Sequence, residues 1–164
     1  MITIFAEKPD VGNKIAAALD KITLSSGKTV SFGSLKAYEK EVKSQGSKDG
    51  YFRIDLKGEE AYVTWGFGHL CELKQAKDYN PVFKNWRNLP APYIPDSYEI
   101  KPRSIPEESD KYGYNDKIKR QLKLISGLFA KSRMIINATD FDREGEVIFS
   151  YVYEITKAAA PVQR

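Results

Sequence analysis

Apolar residues fall in short runs broken by polar turns, and the spacing inside each run predicts its element. Ile2-Thr3-Ile4-Phe5 forms a short apolar strand. Val11, Ile15, Ala16 and Leu19 then share one helical face, and Pro9 opens that helix at a first-turn position it tolerates. Thr29 to Phe32 reads as a further short strand, Leu35 to Lys43 as a short helix, and Gly46 to Gly50 as a mobile loop by composition. Tyr51 to Leu56 alternates, Lys57 to Glu60 turns, and Ala61 to Trp65 returns, which predicts a hairpin. Five prolines between Pro90 and Pro106 predict an extended, poorly helical stretch across the surface. Ile118, Leu122, Ile125 and Phe129 repeat at helical spacing, with Asn115 or Asp116 as candidate cap. Met134-Ile135-Ile136-Asn137 is a second buried strand, and from Glu146 onward Val147, Ile148, Phe149, Tyr151 and Val152 form an amphipathic helix.

Strand, acidic turn, helix is thus written twice. After the first strand come Glu7 and Lys8; after the later one come Asp140, Asp142, Glu144 and Glu146, four acids within seven positions. In a parallel sheet both turns lie at one edge, where open α/β sheets bind their ligands, so Glu7 is expected near Asp140 and Asp142. Crowded carboxylates repel unless a cation lies between them, and oxygen-only ligation suits Mg²⁺. The same acids also fit a solvated helix start, where they favour the positive end of the dipole, and Glu7-Lys8 also fits an ordinary solvated pair.

At 164 residues the chain fits one domain with a real core, and its 41% hydrophobic and 12% aromatic content excludes a disordered polypeptide. The formal net charge of +4 is compatible with a polyanionic partner. The single Cys71 excludes an internal disulfide and a Cys-rich zinc site, and fits a reducing compartment. No signal peptide and no apolar run of membrane-spanning length is visible, so a cytoplasmic, nucleoid-associated protein without membrane contact is expected. There is no Gly-Lys-Ser/Thr phosphate loop, so no use of ATP is expected.

Three ordered motifs carry a resemblance. Ala6-Glu7-Lys8-Pro9, then Val63-Thr64-Trp65-Gly66-Phe67-Gly68-His69-Leu70, then Asp140-Phe141-Asp142-Arg143-Glu144-Gly145-Glu146 resemble the successive motifs of the Toprim domain in bacterial DNA topoisomerase III, a type IA family. Trp86 and Leu89 to Pro95 also resemble its connecting region, so the resemblance runs from Met1 to about Lys157. It implies a Toprim (Rossmann-like) α/β domain, a mostly parallel central sheet with helices on both faces. Residues 1–157 are the expected domain, 24–50 an insertion, and 158–164 the start of a linker to downstream domains of the same parent chain. The family more often has Pro where Phe141 stands, a change that removes no ligand.

What the resemblance implies for chemistry is specific. Glu7 and Lys8 are the expected catalytic residues. Asp140, Asp142 and Glu144 are the expected Mg²⁺ ligands, with Glu7 as a further candidate and Glu146 as a cap. Arg143 and His69 are the expected neighbours of the DNA phosphate, His69 without a role as metal ligand. The substrate implied is single-stranded DNA, cleaved and resealed through a 5′-phosphotyrosine link. The nucleophilic tyrosine lies in another domain, because none of the ten tyrosines here matches the family pattern. The chain alone is therefore expected to be inactive. Another Toprim enzyme, a primase or nuclease, fits the acids but not Glu7-Lys8-Pro9 and Gly68-His69-Leu70. A non-catalytic nucleic-acid-binding module leaves the complete acidic set unexplained. The basic positions Lys117, Lys119, Arg120 and Lys123 fit either a solvated helix face or a phosphate contact.

Overall fold

The computed structural model describes residues 1–19, 21–23, 29–31 and 48–164. Its strands are β1 (Ile2–Ala6), β2 (Lys21–Thr23), β3 (Thr29–Ser31), β4 (Tyr51–Leu56), β5 (Glu59–Trp65), β6 (Cys71–Leu73), β7 (Ile100–Pro102), β8 (Met134–Ala138) and β9 (Val162–Gln163). Its α-helices are α1 (Pro9–Ala18), α2 (Ala76–Tyr79), α3 (Tyr114–Lys131) and α4 (Arg143–Ile155).

Seven strands form the main sheet in the order β3-β2-β4-β5-β1-β8-β9. β5, β1, β8 and β9 are mutually parallel. The antiparallel steps β5 to β4, β4 to β2 and β2 to β3 turn β2 back into the same direction. Most strands therefore point one way, as expected for this α/β class.

Alternation along the central strands distributes side chains to two cores. Ile2, Ile4 and Ala6 face one side with Ala61, Val63 and Trp65, where Val11, Ile15 and Leu19 of α1 cover them. Phe5 and Ile135 face the other side, against Ile118, Leu122, Ile125 and Phe129 of α3 and Ile148, Phe149 and Val152 of α4. Phe5 meets Phe129 edge-on with centroids 6.2 Å apart and Phe149 at 6.0 Å, so one strand residue anchors both helices. Helices thus cover both faces.

The predicted hairpin is β4–β5, with Tyr51 paired to Thr64 and Leu56 to Glu59. Its two-residue turn puts Lys57 and Gly58 at φ 54° and 86°, the left-handed pair that matches strand twist. The prolines between Pro90 and Pro106 lie in a mostly exposed, non-α-helical excursion, whose base is closed by the separate β6–β7 pair.

Several expectations change. Neither Asn115 nor Asp116 caps α3: Asp110 accepts from the backbone N–H groups of Tyr114 and Asn115, the latter at 3.0 Å. Asn115 instead clamps the Ile105 backbone through two 2.9 Å hydrogen bonds. α4 begins at Arg143 rather than Glu146, because Asp142 Oδ1 accepts from Gly145 N–H at 2.7 Å and caps the helix earlier. The stretch 158–164, expected as linker, carries β9, which adds to the sheet beside β8. Within 24–50, Thr29–Ser31 is the expected strand, while the helix over Leu35 to Lys43 lies outside the described residues. Of the loop over Gly46 to Gly50, the described part is ordered otherwise: Lys48 and Asp49 are helical and Gly50 is buried.

Candidate active site

β1 leads into α1 on one face of the sheet, and its neighbour β8 leads into α4 on the other. The two helices diverge at that point, and a crevice opens at the strands' carboxyl ends. Ala6 pairs with Ala138 in register, so the turns beginning at Glu7 and Thr139 stand level across it.

Glu7 is 3% exposed, an unusual burial for a carboxylate. Lys8 Nζ lies 2.6 Å from its Oε1. The Glu7 carboxylate, with Asp140 and Glu144 further off, holds Lys8 protonated above its ordinary value. The Gly66-Phe67-Gly68 loop wraps this turn: Gly66 N–H donates to the Ala6 carbonyl at 3.0 Å, and Gly68 N–H to that of Glu7 at 3.1 Å. A Cβ on Gly66 would sit 3.1 Å from the Glu7 carbonyl oxygen and 2.9 Å from that of Gly68. Gly68 adopts φ +74°, so both glycines are required by geometry. Lys8 is the N-cap residue of α1, and its carbonyl accepts from Val11 and Gly12 at 3.1 Å each.

The acidic turn divides its carboxylates between structure and solvent. Asp142 caps α4 with one oxygen. Glu146 is ion-paired to Arg164. Asp140 and Glu144 are exposed, and both act electrostatically on Lys8 across the crevice. His69 Nε2 lies 3.3 Å from Glu144 Oε1, which ties the glycine loop to the acidic turn. Arg143 is exposed at the start of α4, and among the described residues no ion pair joins it to the acids. Beneath the turn, Thr139 Oγ1 lies 2.8 Å from Asn137 Oδ1 and 3.0 Å from the Gly145 carbonyl, a buried network fixing the strand end.

Arg164 was not singled out by sequence pattern. Its guanidinium donates to the Asp140 carbonyl at 2.6 Å and stacks on Phe141 at 4.9 Å, besides meeting Glu146. Cys71 takes no part in the crevice; burial pushes its thiol up to about 12. Among the described residues, no three acidic, His or Cys side chains converge closely enough to cage a cation alone. That suits Mg²⁺, which typically takes one or two protein carboxylates and completes its shell with water and substrate phosphate.

Fold and site together define a Rossmann-like α/β domain with an acid-lined crevice at its topological switch point. The Toprim domain family matches residues 3–164, and the chain belongs to that family. It is similar to the DNA topoisomerase 3 of Haemophilus influenzae, 30% identical over 112 residues, which cover 68% of this chain and 15% of that protein. The DNA topoisomerase 3 of Staphylococcus epidermidis is 28% identical and that of Bacillus subtilis 27%, each over 163 residues, 98% of this chain and 17% of the relative. The chain thus spans under a fifth of the length of these relatives. Among the described residues, no helix is long and apolar enough to cross a membrane.

Proposed function

We propose that this domain supplies the acid–base and Mg²⁺-holding part of a topoisomerase III-like, type IA enzyme acting on single-stranded DNA. The observation that carries this reading is the buried Glu7 carboxylate, paired with Lys8 and level with the acidic turn across the β1–β8 switch point. In the parent chain, a tyrosine from a downstream domain attacks the scissile phosphorus, and the bond to the 3′ oxygen breaks. Glu7, protonated, gives its proton to that oxygen and takes it back when the strand reseals. Lys8 places a point charge against the phosphoryl oxygens as negative charge gathers there. Asp140 and Glu144, with the free oxygen of Asp142, are the groups that would hold Mg²⁺, and Arg143 and His69 flank the phosphate path. When bound, Mg²⁺ supplies positive charge that neutralises the phosphate. One phosphodiester is exchanged for another, so ATP has no step to drive. The proposed setting is the bacterial cytoplasm and its nucleoid.

The test is a metal titration of this chain as it stands. Mg²⁺ should raise the thermal midpoint by mass action. Asp140→Asn combined with Asp142→Asn should abolish that increment. Asn caps a helix as well as Asp does, so the variant should fold. An unchanged Mg²⁺ response in the double variant sinks the assignment.

A further inference from the structure

Beside the Glu7–Lys8 turn, and outside the residues assigned so far, a cleft of about 690 Å³ opens between α1 and α3. That volume lies in the range of small-molecule sites. Pro9 and Phe67 form the end nearest the catalytic turn. Pro9 directly follows Lys8, so the cleft begins about 7 Å or less along the chain from Glu7.

The wall contributed by α3 has a regular origin. Tyr114, Lys117, Gln121 and Leu124, with Arg120, recur at three- and four-residue steps and all line the cleft. Ile118, Leu122 and Ile125 occupy the opposite, buried face. The basic stripe noted in sequence therefore splits: Lys117 and Arg120 reach the cleft, whereas Lys119 and Lys123 are not on its wall. Lys48 adds a third cation, against the two carboxylates of Asp10 and Asp49. The excess is a single positive charge, so selectivity has to come from contacts rather than from a strong field.

The floor is rigid and polar. Gln121 is buried, and its Nε2 donates to the carbonyls of Gly50 at 3.1 Å and Trp65 at 2.7 Å and to Thr64 Oγ1 at 3.2 Å. Thr64 in turn donates to the Gly50 carbonyl at 2.9 Å. Gly50 sits at φ +76° and a Cβ there would lie 2.4 Å from Gln121 Oε1, so the floor closes only over glycine. Above it, Phe67 is 39% exposed, a large apolar ring at the rim with no core to fill.

We propose that this cleft takes one nucleotide of single-stranded DNA next to the scissile phosphodiester, its base against Phe67 and its phosphate between Lys117 and Arg120. The proposal rests on the function argued above and adds to it where the neighbouring nucleotide lies. A base stacked and paired in duplex cannot enter a walled cleft, whereas an unstacked base can. Aromatic stacking with cationic phosphate contact is the sequence-tolerant way proteins hold single strands.

The test measures binding of a short fluorescent oligo-dT, and of the same oligonucleotide with abasic positions, to this chain by anisotropy across a salt series. The variants are Phe67→Ala and Lys117→Ala/Arg120→Ala, all at exposed side chains and expected to fold. Phe67→Ala should weaken oligo-dT binding about tenfold and leave the abasic strand unchanged. The double variant should weaken both strands and lower the slope of log K against log salt by about 1.4, from about 0.7 per lost phosphate contact. Equal losses for dT and abasic strands in Phe67→Ala, or unchanged binding in the variants, would place DNA elsewhere and overturn the cleft alone. Absence of binding by the wild-type chain overturns it too. The Mg²⁺ midpoint shift on the same sample then shows whether the wider reading falls with it.

Discussion

Gly145→Ala sets helix propensity against a backbone clash, and the structure decides the sign. Gly145 stands in the first turn of α4, where alanine ordinarily stabilises by about 1 kcal/mol. Here an added Cβ would lie 2.2 Å from the Asp140 carbonyl oxygen and 3.0 Å from both Asp140 C and N. These are backbone atoms, so no side chain can rotate away. The loop is also pinned from both sides, since Gly145 N–H donates to Asp142 and the Gly145 carbonyl accepts from Thr139. Overpacking of this kind costs about 2–3 kcal/mol, which leaves a net loss of about 1–2 kcal/mol. For a domain of this size that is a fall of about 2–8 °C in thermal midpoint. Gly127 in α3 is the control: it is exposed, and a Cβ there meets nothing within 4 Å. Gly127→Ala should raise the midpoint by about 2–4 °C. Calorimetry of both variants gives the comparison. The Mg²⁺ response of Gly145→Ala should weaken as well, because relief of the clash moves Asp140. A Gly145→Ala protein as stable as Gly127→Ala, with its Mg²⁺ response intact, would refute the close approach and the rigid acidic turn built on it.

Two further outcomes follow from the charges. Glu59 is lowered to about 2, chiefly by its hydrogen bonds from Arg133 and also by the amino terminus of Met1. A folded value below the unfolded one stabilises above the usual carboxylate range and is lost as pH falls through it. The thermal midpoint should therefore decline between about pH 4.5 and 2. Glu59→Gln should flatten that part of the profile, and superimposable profiles would dismiss the clip. In a longer chain that carries this domain and a nucleophilic tyrosine, Glu7→Gln should slow cleavage about 10²–10⁴-fold, and a bridging 3′-thiolate substrate should restore it because sulfur leaves without a proton. Slow cleavage of the thiolate substrate as well would assign Glu7 to organising the phosphate instead.

The sequence was most legible where burial repeats. β1 and β8 are short apolar runs, and the stripes of α1, α3 and α4 bury one face each, so pattern alone locates them. It failed where a partner lies far away or outside a local motif. β9 is two exposed residues whose only structural signal is pairing with β8. Asp110 caps α3 from four residues before its first turn, because Gly113 at φ 62° folds the chain back; a search at the usual cap spacing misses it.

The acids at the crevice show the same limit more sharply. Their crowding was visible, but their division was not. Asp142 answers the free N–H groups of α4, and Glu146 answers Arg164, a residue that looked like linker. Asp140 and Glu144 remain turned to solvent and to Lys8. A carboxylate already satisfied by a cap or an arginine relieves the repulsion without a metal, so four acids do not imply four ligands. Two exposed carboxylates and one shared oxygen form a set that a hydrated Mg²⁺ and a DNA phosphate could complete. The function proposed for this crevice thus depends on which acids the fold leaves uncommitted, a property of caps and tertiary contacts that spacing alone does not encode.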